Sequence, residues 1–185
     1  MNTKTKSFLS SLPKPSVKDG DGIKAEYSVT ILKDASFIYS VWRNFENLPR
    51  FMKHLDEVQV LNDTRTLWRA KPFENLETEW ETEMIAETPD EFISWRSIEG
   101  SEISIAGSVH FSPAPRGQGT QVTVRMMYGP PLGKITHVIT KLTKADPHSL
   151  LREDMKRFKS YIETGDILST EGQPRGQGIE YKKTA

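Results

Sequence analysis

Arg96 is the side chain whose placement most constrains the chemistry open to this chain. It sits in the segment from Glu91 to Ile98. If Phe92, Ser94, Arg96 and Ile98 share the inward face of a strand, a guanidinium enters the interior. Unpaired there it would cost on the order of several kcal/mol, so it would need a carboxylate or an anionic ligand group. If Ile93, Trp95 and Ser97 face inward instead, Arg96 is an ordinary surface residue, and alternation leaves both phases open. The other candidates for a pocket lining are Trp68, Trp80, Trp95, Met84, Met126 and Tyr128. Each buried aromatic removes roughly 150–250 Å² from water, which serves a packed core as well as it serves a ligand. Thr78, Thr82, Ala86 and Gly107 alternate with the bulky groups and leave room. Thr78 and Thr82 could also orient a ligand carbonyl or hydroxyl.

Other chemistries find little footing. The four histidines, His54, His110, His137 and His148, are dispersed, and no HExxH pattern is present, so no metal site is expected. His110 alternates with Val109 and Phe111 and is expected on the outer face. Nucleophilic catalysis has no cysteine and no GxSxG motif. RGQG at Arg116–Gly119, and the same run near the C-terminus, lack the lysine and the strand-to-helix context of a phosphate loop and read as turns. No cofactor is implied. General acid–base work remains, and it needs a proton acceptor in a dry pocket with a raised pKa. The glutamates Glu77, Glu79, Glu81, Glu83 and Glu87 are expected on a wet strand face, where they serve solubility; no catalytic residue is assigned.

The elements that must position these groups follow from periodicity. Tyr27, Val29 and Ile31 alternate as a first strand, and Asp34 is placed to cap a helix carrying Ile38, Val41, Trp42 and Phe45. Asn47–Leu55 forms a short helix or tight turn. Glu57–Asn62 and Thr66–Ala70 make a hairpin, and Leu76–Glu87 alternates so strictly that a helix would scatter its glutamates all round. Glu91–Ile98, Ile103–Phe111 and Thr120–Tyr128 follow, the last with Val122, Val124, Met126 and Tyr128 inward. Ile135, Val138, Ile139 and Leu142 then mark a helix. A final one, Ser149–Thr164, shows Leu151, Met155, Phe158 and Ile162 at spacings of four, three and four. Asp146 caps it, Pro147 opens it and Gly165 ends it. Met155 and Phe158 on its stripe complete the candidate lining.

At 185 residues, with 25 basic and 25 acidic side chains and no cysteine, the chain fits one domain with no net field toward nucleic acid. Residues 1–24 and 166–185 read as flexible arms around a folded unit at 25–165. Neither a secretory leader nor an apolar run long enough to span a bilayer is expected, which makes cytoplasmic the default. Lys134, His137, Lys141 and Lys144 recur at three, four and three residues with no acidic group among them. Lys134, Lys141 and Lys144 could rest on an anionic membrane surface, or form a solvated face on a core-packed helix.

The order of strand, two short helices, six strands and long helix resembles the helix-grip fold of the START-like (SRPBCC) superfamily, in its polyketide cyclase/dehydrase and lipid-transport branch. SWRSIEG at Ser94–Gly100, GSVHF at Gly107–Phe111, GTQV at Gly119–Val122, YGPP at Tyr128–Pro131, EDMKRFKSYIETG at Glu153–Gly165 and TEGQPRG at Thr170–Gly176 carry the likeness. It implies an α+β fold, with a curved antiparallel sheet of about six or seven strands wrapped around the long C-terminal helix. It also implies a hollow for an apolar ligand: lipid, isoprenoid quinone or polyketide. Binding or carriage of such a molecule is the first expectation, a cyclase or dehydratase acting in the same hollow the second, and a module regulating a protein partner the third. An ionisable group with a shifted pKa inside the hollow separates the second from the first.

Overall fold

A computed structural model describes residues 22–73, 76–101, 103–115, 117–129 and 146–166. The basic segment with Lys134, His137, Lys141 and Lys144, Arg116 of the expected RGQG turn, residues 1–21 and residues 167–185 lie outside them.

Seven strands form one antiparallel sheet: β1 (Ile23–Ile31), β2 (Glu57–Val60), β3 (Arg65–Phe73), β4 (Leu76–Thr88), β5 (Phe92–Ser97), β6 (Ile105–Pro113) and β7 (Thr120–Tyr128). Their spatial order is β1-β7-β6-β5-β4-β3-β2, so only the β1–β7 pairing joins strands distant in sequence. Between β1 and β2 lie helix α1 (Ala35–Arg43) and a 3₁₀ helix (Phe45–Arg50), and helix α2 (Pro147–Thr164) closes the fold. This is the α+β helix-grip architecture.

The register builds the inner face in rows. Trp68 stands opposite Trp80. Met84, Trp95, Gly107, Met126 and Ala25 form a second row across five strands. The phase of β5 is thereby decided: Ile93, Trp95 and Ser97 take the inner face and Arg96 the outer. There its Nε donates to Glu83 Oε1 at 2.7 Å, so the guanidinium does not enter the hollow. The ion pair on a half-exposed surface satisfies it without a ligand.

A bulge in β4 between Met84 and Ala86 changes the alternation. Glu79, Glu81 and Glu83 lie outward as expected, but beyond the bulge Glu87 stands opposite Ile93 on the inner face. It accepts hydrogen bonds from Arg43 Nε at 2.6 Å and from the Tyr39 hydroxyl. A strict count by twos from Leu76 misses this, because one extra residue exchanges the two faces.

Helix α2 begins where expected. The Asp146 carboxylate accepts from the Ser149 N–H at 3.2 Å, Pro147 opens the first turn, and Gly165 ends the helix at φ 79° in the left-handed region. Asp34, by contrast, makes no side-chain cap for α1; only its carbonyl takes the Ile38 N–H. Both helices and the 3₁₀ segment meet over an aromatic knot. Phe158 lies 4.9 Å from Trp42 and 4.6 Å from Phe51 between ring centres, and Trp42 reaches Trp95 at 6.5 Å. Among the described residues the exposed large apolar side chains are Ile23 on β1, Leu32 just after it, Phe37 on α1, Val60 on β2 and Leu61 just after it.

Candidate functional site

Beside the aromatic knot lies a hollow between the sheet and the N-terminal half of α2. The sheet contributes Trp68, Trp80, Trp95, Ile105, Met126 and Tyr128, the turn before it Ile103, the segment after the 3₁₀ helix Met52 and His54, and α2 Leu150, Leu151 and Asp154. The cavity measures about 50 Å³. Water needs roughly 10–15 Å³ on this measure, and a drug-sized ligand occupies a pocket of about 300–1,000 Å³. In this state the hollow admits water and little more.

Five of the expected lining residues, Trp68, Trp80, Trp95, Met126 and Tyr128, do line it. The remainder lie elsewhere. Arg96 is on the outer face. The Thr82 hydroxyl is engaged with Thr66 at 2.7 Å, and the Trp68 indole N–H donates to Thr66 at 2.8 Å. Thr78 is buried opposite Ala70, outside the cavity wall. Met84 packs against the core, and Met155 and Phe158 are fully enclosed within it. The position four residues before Phe158, not Phe158 itself, reaches the hollow.

The room that Gly107 leaves is also taken. An added Cβ there would come within 2.4 Å of the Trp95 ring and 2.8 Å of the Met126 sulfur, so the glycine is what lets the indole lie flat on β6. Gly107→Ala is expected to lift Trp95 at a cost of about 1–3 kcal/mol. Thermal denaturation should show a lower midpoint, together with a shifted tryptophan emission; an unchanged midpoint would mean the indole relaxes freely.

Of the polar part of the wall, Tyr128 was read from the sequence, and Asp154 and His54 were not. Asp154 is 3% exposed and Tyr128 shares the same cavity. His54 Nδ1 lies 3.4 Å from Asp154 Oδ2. The His54 side chain is 26% exposed, but Nδ1 itself is enclosed and makes no hydrogen bond. Trp95 Nε1 is likewise buried without a partner. Burial pushes the Asp154 carboxyl up to about 7; the Arg157 guanidinium and a hydrogen bond from the Lys53 backbone pull against it, and Glu153 adds to the rise. Burial alone pushes the His54 imidazole down to about 4. Burial, and then the Asp154 charge, hold the Tyr128 phenol well above its ordinary value. Desolvation thus drives all three toward their neutral forms.

A signal for Asp154 was present: it stands three residues after Leu151 and four before Phe158, a carboxylate set into the apolar stripe of α2. His54 carried none, since it belongs to a turn whose packing no periodicity describes.

A family model described as "Polyketide cyclase / dehydrase and lipid transport" matches residues 33–156. An uncharacterized 17.2 kDa protein from the melC2-rnhH intergenic region of Streptomyces lincolnensis is 27% identical over 145 residues, 76% of this chain and 89% of that protein. A crystal structure of a Deinococcus radiodurans protein is similar with a TM-score of 0.64 at 36% identity, covering 78% of this chain and all of that one. A Streptomyces aromatase/cyclase, Zhui, shares the fold at 10% identity and a TM-score of 0.58, over 80% of this chain and 99% of its own.

Proposed function

This chain belongs to the polyketide cyclase/dehydrase and lipid-transport family, within the START-like superfamily, and from that membership we propose that it binds a hydrophobic small molecule between the sheet and α2. The ligand is of the lipid, isoprenoid quinone or polyketide-like kind. The observation that supports this reading best is the wall of three tryptophans, Trp68, Trp80 and Trp95, facing a cavity. Trp68 lies 6.0 Å from Trp80 and 6.4 Å from Trp95 between ring centres, which makes one continuous aromatic surface for a flat or extended apolar guest.

A cavity of about 50 Å³ requires that a guest displace one wall. The two halves of α2 are held differently. Its C-terminal half is tied to β1 and the 3₁₀ segment: Lys159 donates to the Thr30 carbonyl, Glu163 accepts from the Leu32 N–H at 2.9 Å, and Arg50 donates to the Tyr161 hydroxyl at 3.1 Å. Its N-terminal half covers the hollow through Leu150, Leu151 and Asp154. That half is held to the segment after the 3₁₀ helix through Asp154, by the Lys53 backbone and His54, and it is the half a guest would displace. Native mass spectrometry of protein purified without added ligand should reveal a retained apolar molecule. Hydrogen exchange on its removal should change over residues 147–155 and stay constant over 156–164. Protein that is always empty, with uniform exchange along α2, would argue against this function.

Asp154 favours a second reading, in which the bound molecule is also transformed. A carriage pocket needs only apolar groups and hydroxyls, whereas a buried carboxyl near 7 is what a cyclase or dehydratase needs for proton transfer at neutral pH. Product formation from a polyketide-like substrate, abolished in Asp154→Leu while binding persists, would distinguish conversion from carriage.

A further inference from the structure

We propose that the outer edge of β2 is a self-association surface, on which a second copy of this chain pairs antiparallel through its own residues 57–61 about a two-fold axis at Gln59. The sheet order leaves β1 and β2 as the outermost strands, and the two edges are finished differently. At β1, Lys159 donates to the Thr30 carbonyl and Glu163 accepts from the Leu32 N–H at 2.9 Å, so α2 covers that end of the edge. At β2, nothing outside the sheet among the described residues hydrogen-bonds the Val58 or Val60 backbone.

The ladder fixes which backbone groups are free. The Leu61 N–H donates to the Arg65 carbonyl at 2.9 Å, and Glu57 stands opposite Arg69. In an antiparallel pair every second residue bonds inward, so Glu57, Gln59 and Leu61 direct their backbone groups at β3, while Val58 and Val60 point theirs off the sheet. Strand β3 has the matching parity: the Met84 N–H donates to the Thr64 carbonyl at 2.8 Å, so its even residues face β4 and its odd ones β2. Such an edge is a template for another strand. The run EVQV carries neither the lysine nor the proline that commonly blunts one, and its one charge, on Glu57, is paired with Arg69.

A second copy satisfies these groups in one register. With Gln59 opposite Gln59, Val58 of each copy faces Val60 of the other, and both pairs exchange their N–H and C=O groups. A slip of one residue would set free groups against groups already bonded, and a slip of two would keep only one valine in register. The side chains agree. Val60 is 44% exposed on the same face as Val58, and the pairing covers it in a row of Trp68, Val58, and Val60 and Thr66 of the second copy. On the other face the row reads Glu83, Arg65 and Leu61, then Glu57, Arg69 and Glu79 of the second copy. Charges alternate on either side of Leu61, and no like charges meet. Both copies use the same strand, so the contact is closed and stops at two. One short strand a side falls below about 1,200 Å² of interface, which makes the pairing reversible.

Sedimentation velocity of the full chain, from roughly 10 µM to 1 mM, should show the mean mass climbing from one chain toward two. Val60→Lys charges an exposed side chain, and Val60→Pro deletes an N–H that points off the sheet. Each should weaken association about tenfold or more and leave the melting midpoint nearly unchanged. The chain has no cysteine, so Gln59→Cys reports the register. The two copies of residue 59 meet as a non-hydrogen-bonded pair about 4.5 Å apart between Cα atoms, within reach of a disulfide, and mild oxidation should give a covalent dimer. Glu57→Cys should give little, because it and its counterpart stand four positions apart along the strands, about 13 Å. A chain that is monomeric throughout would overturn the proposal; Val58 and Val60 amides that then resist hydrogen exchange would mean that a segment of the same chain occupies the edge. Association indifferent to both Val60 variants, growth beyond two chains, or cross-linking at residue 57 as ready as at 59 would overturn it equally.

Discussion

Asp154→Asn should be more stable than the unaltered protein at pH 8, by as much as about 4 kcal/mol, and hardly different at pH 4. The carboxyl stands at about 7 in the fold against an ordinary value of 3.8, and three pKa units correspond to about 4 kcal/mol. The sign follows from proton binding. As pH rises past 3.8 the unfolded chain ionises first, so the native state holds the extra proton and stability falls until about pH 7, then levels. Asparagine still buries an amide, so the realised gain will be smaller than the full figure. At roughly 2–4 °C per kcal/mol for a chain of this size, the melting midpoint at pH 8 should rise by about 10 °C or somewhat less.

His54 contributes with the opposite slope. Its imidazole is driven from 6.5 to about 4, so the unfolded chain takes up the proton first as pH falls, and stability is lost from pH 6.5 downward. Between pH 4 and 6.5 the two effects oppose, which flattens the profile of the unaltered protein. Asp154→Asn should unmask the histidine, giving a stability that climbs with pH over that window. Urea midpoints at five pH values from 4 to 8 would read both effects. A variant weaker at pH 8, with the slope unaltered, would mean that Asp154 is held as an anion by His54 and Arg157. A carboxyl that lowers stability at working pH is what functional sites accept in exchange for reactivity.

The second large effect is at Phe158. Its ring is fully buried against Trp42 and Phe51, so Phe158→Ala should cost about 3–5 kcal/mol, and the melting midpoint should drop by about 10 °C. Phe158→Leu should recover much of that, since it returns volume without edge-to-face geometry. Loss of the ring should also couple to Trp42: the double substitution with Trp42→Ala is expected to cost less than the sum, because the second truncation enlarges a cavity already made. Strict additivity, or a loss below about 1 kcal/mol, would show that the knot relaxes around the gap.

Local patterns carried most of the fold. The alternation in Thr120–Tyr128, the stripe in α2 and the Asp146–Pro147 and Gly165 boundaries depend on side chains a few residues apart, and they read correctly because helix and strand periods are properties of the backbone alone. Three features were out of reach for a common reason. The bulge at Met84–Ala86 turned Glu87 inward, and nothing in LETEWETEMIAET announces an extra residue. The phase of β5 was set by pairing with β4 and β6, so Arg96 could be placed only once its neighbours were known. Gly107 signalled empty space, yet Trp95 lies in it.

By itself the chain determined an α+β unit with a helix gripped by a sheet, and a rank of tryptophans available to face it. Tertiary structure alone decided which groups meet in the hollow: Trp95 rather than Arg96, Asp154 rather than Met155 or Phe158, and His54 brought within 3.4 Å of that carboxyl. Periodicity specifies which way a side chain points relative to its own element. Desolvation, and with it the protonation state of Asp154, depends on what other elements place against that side chain.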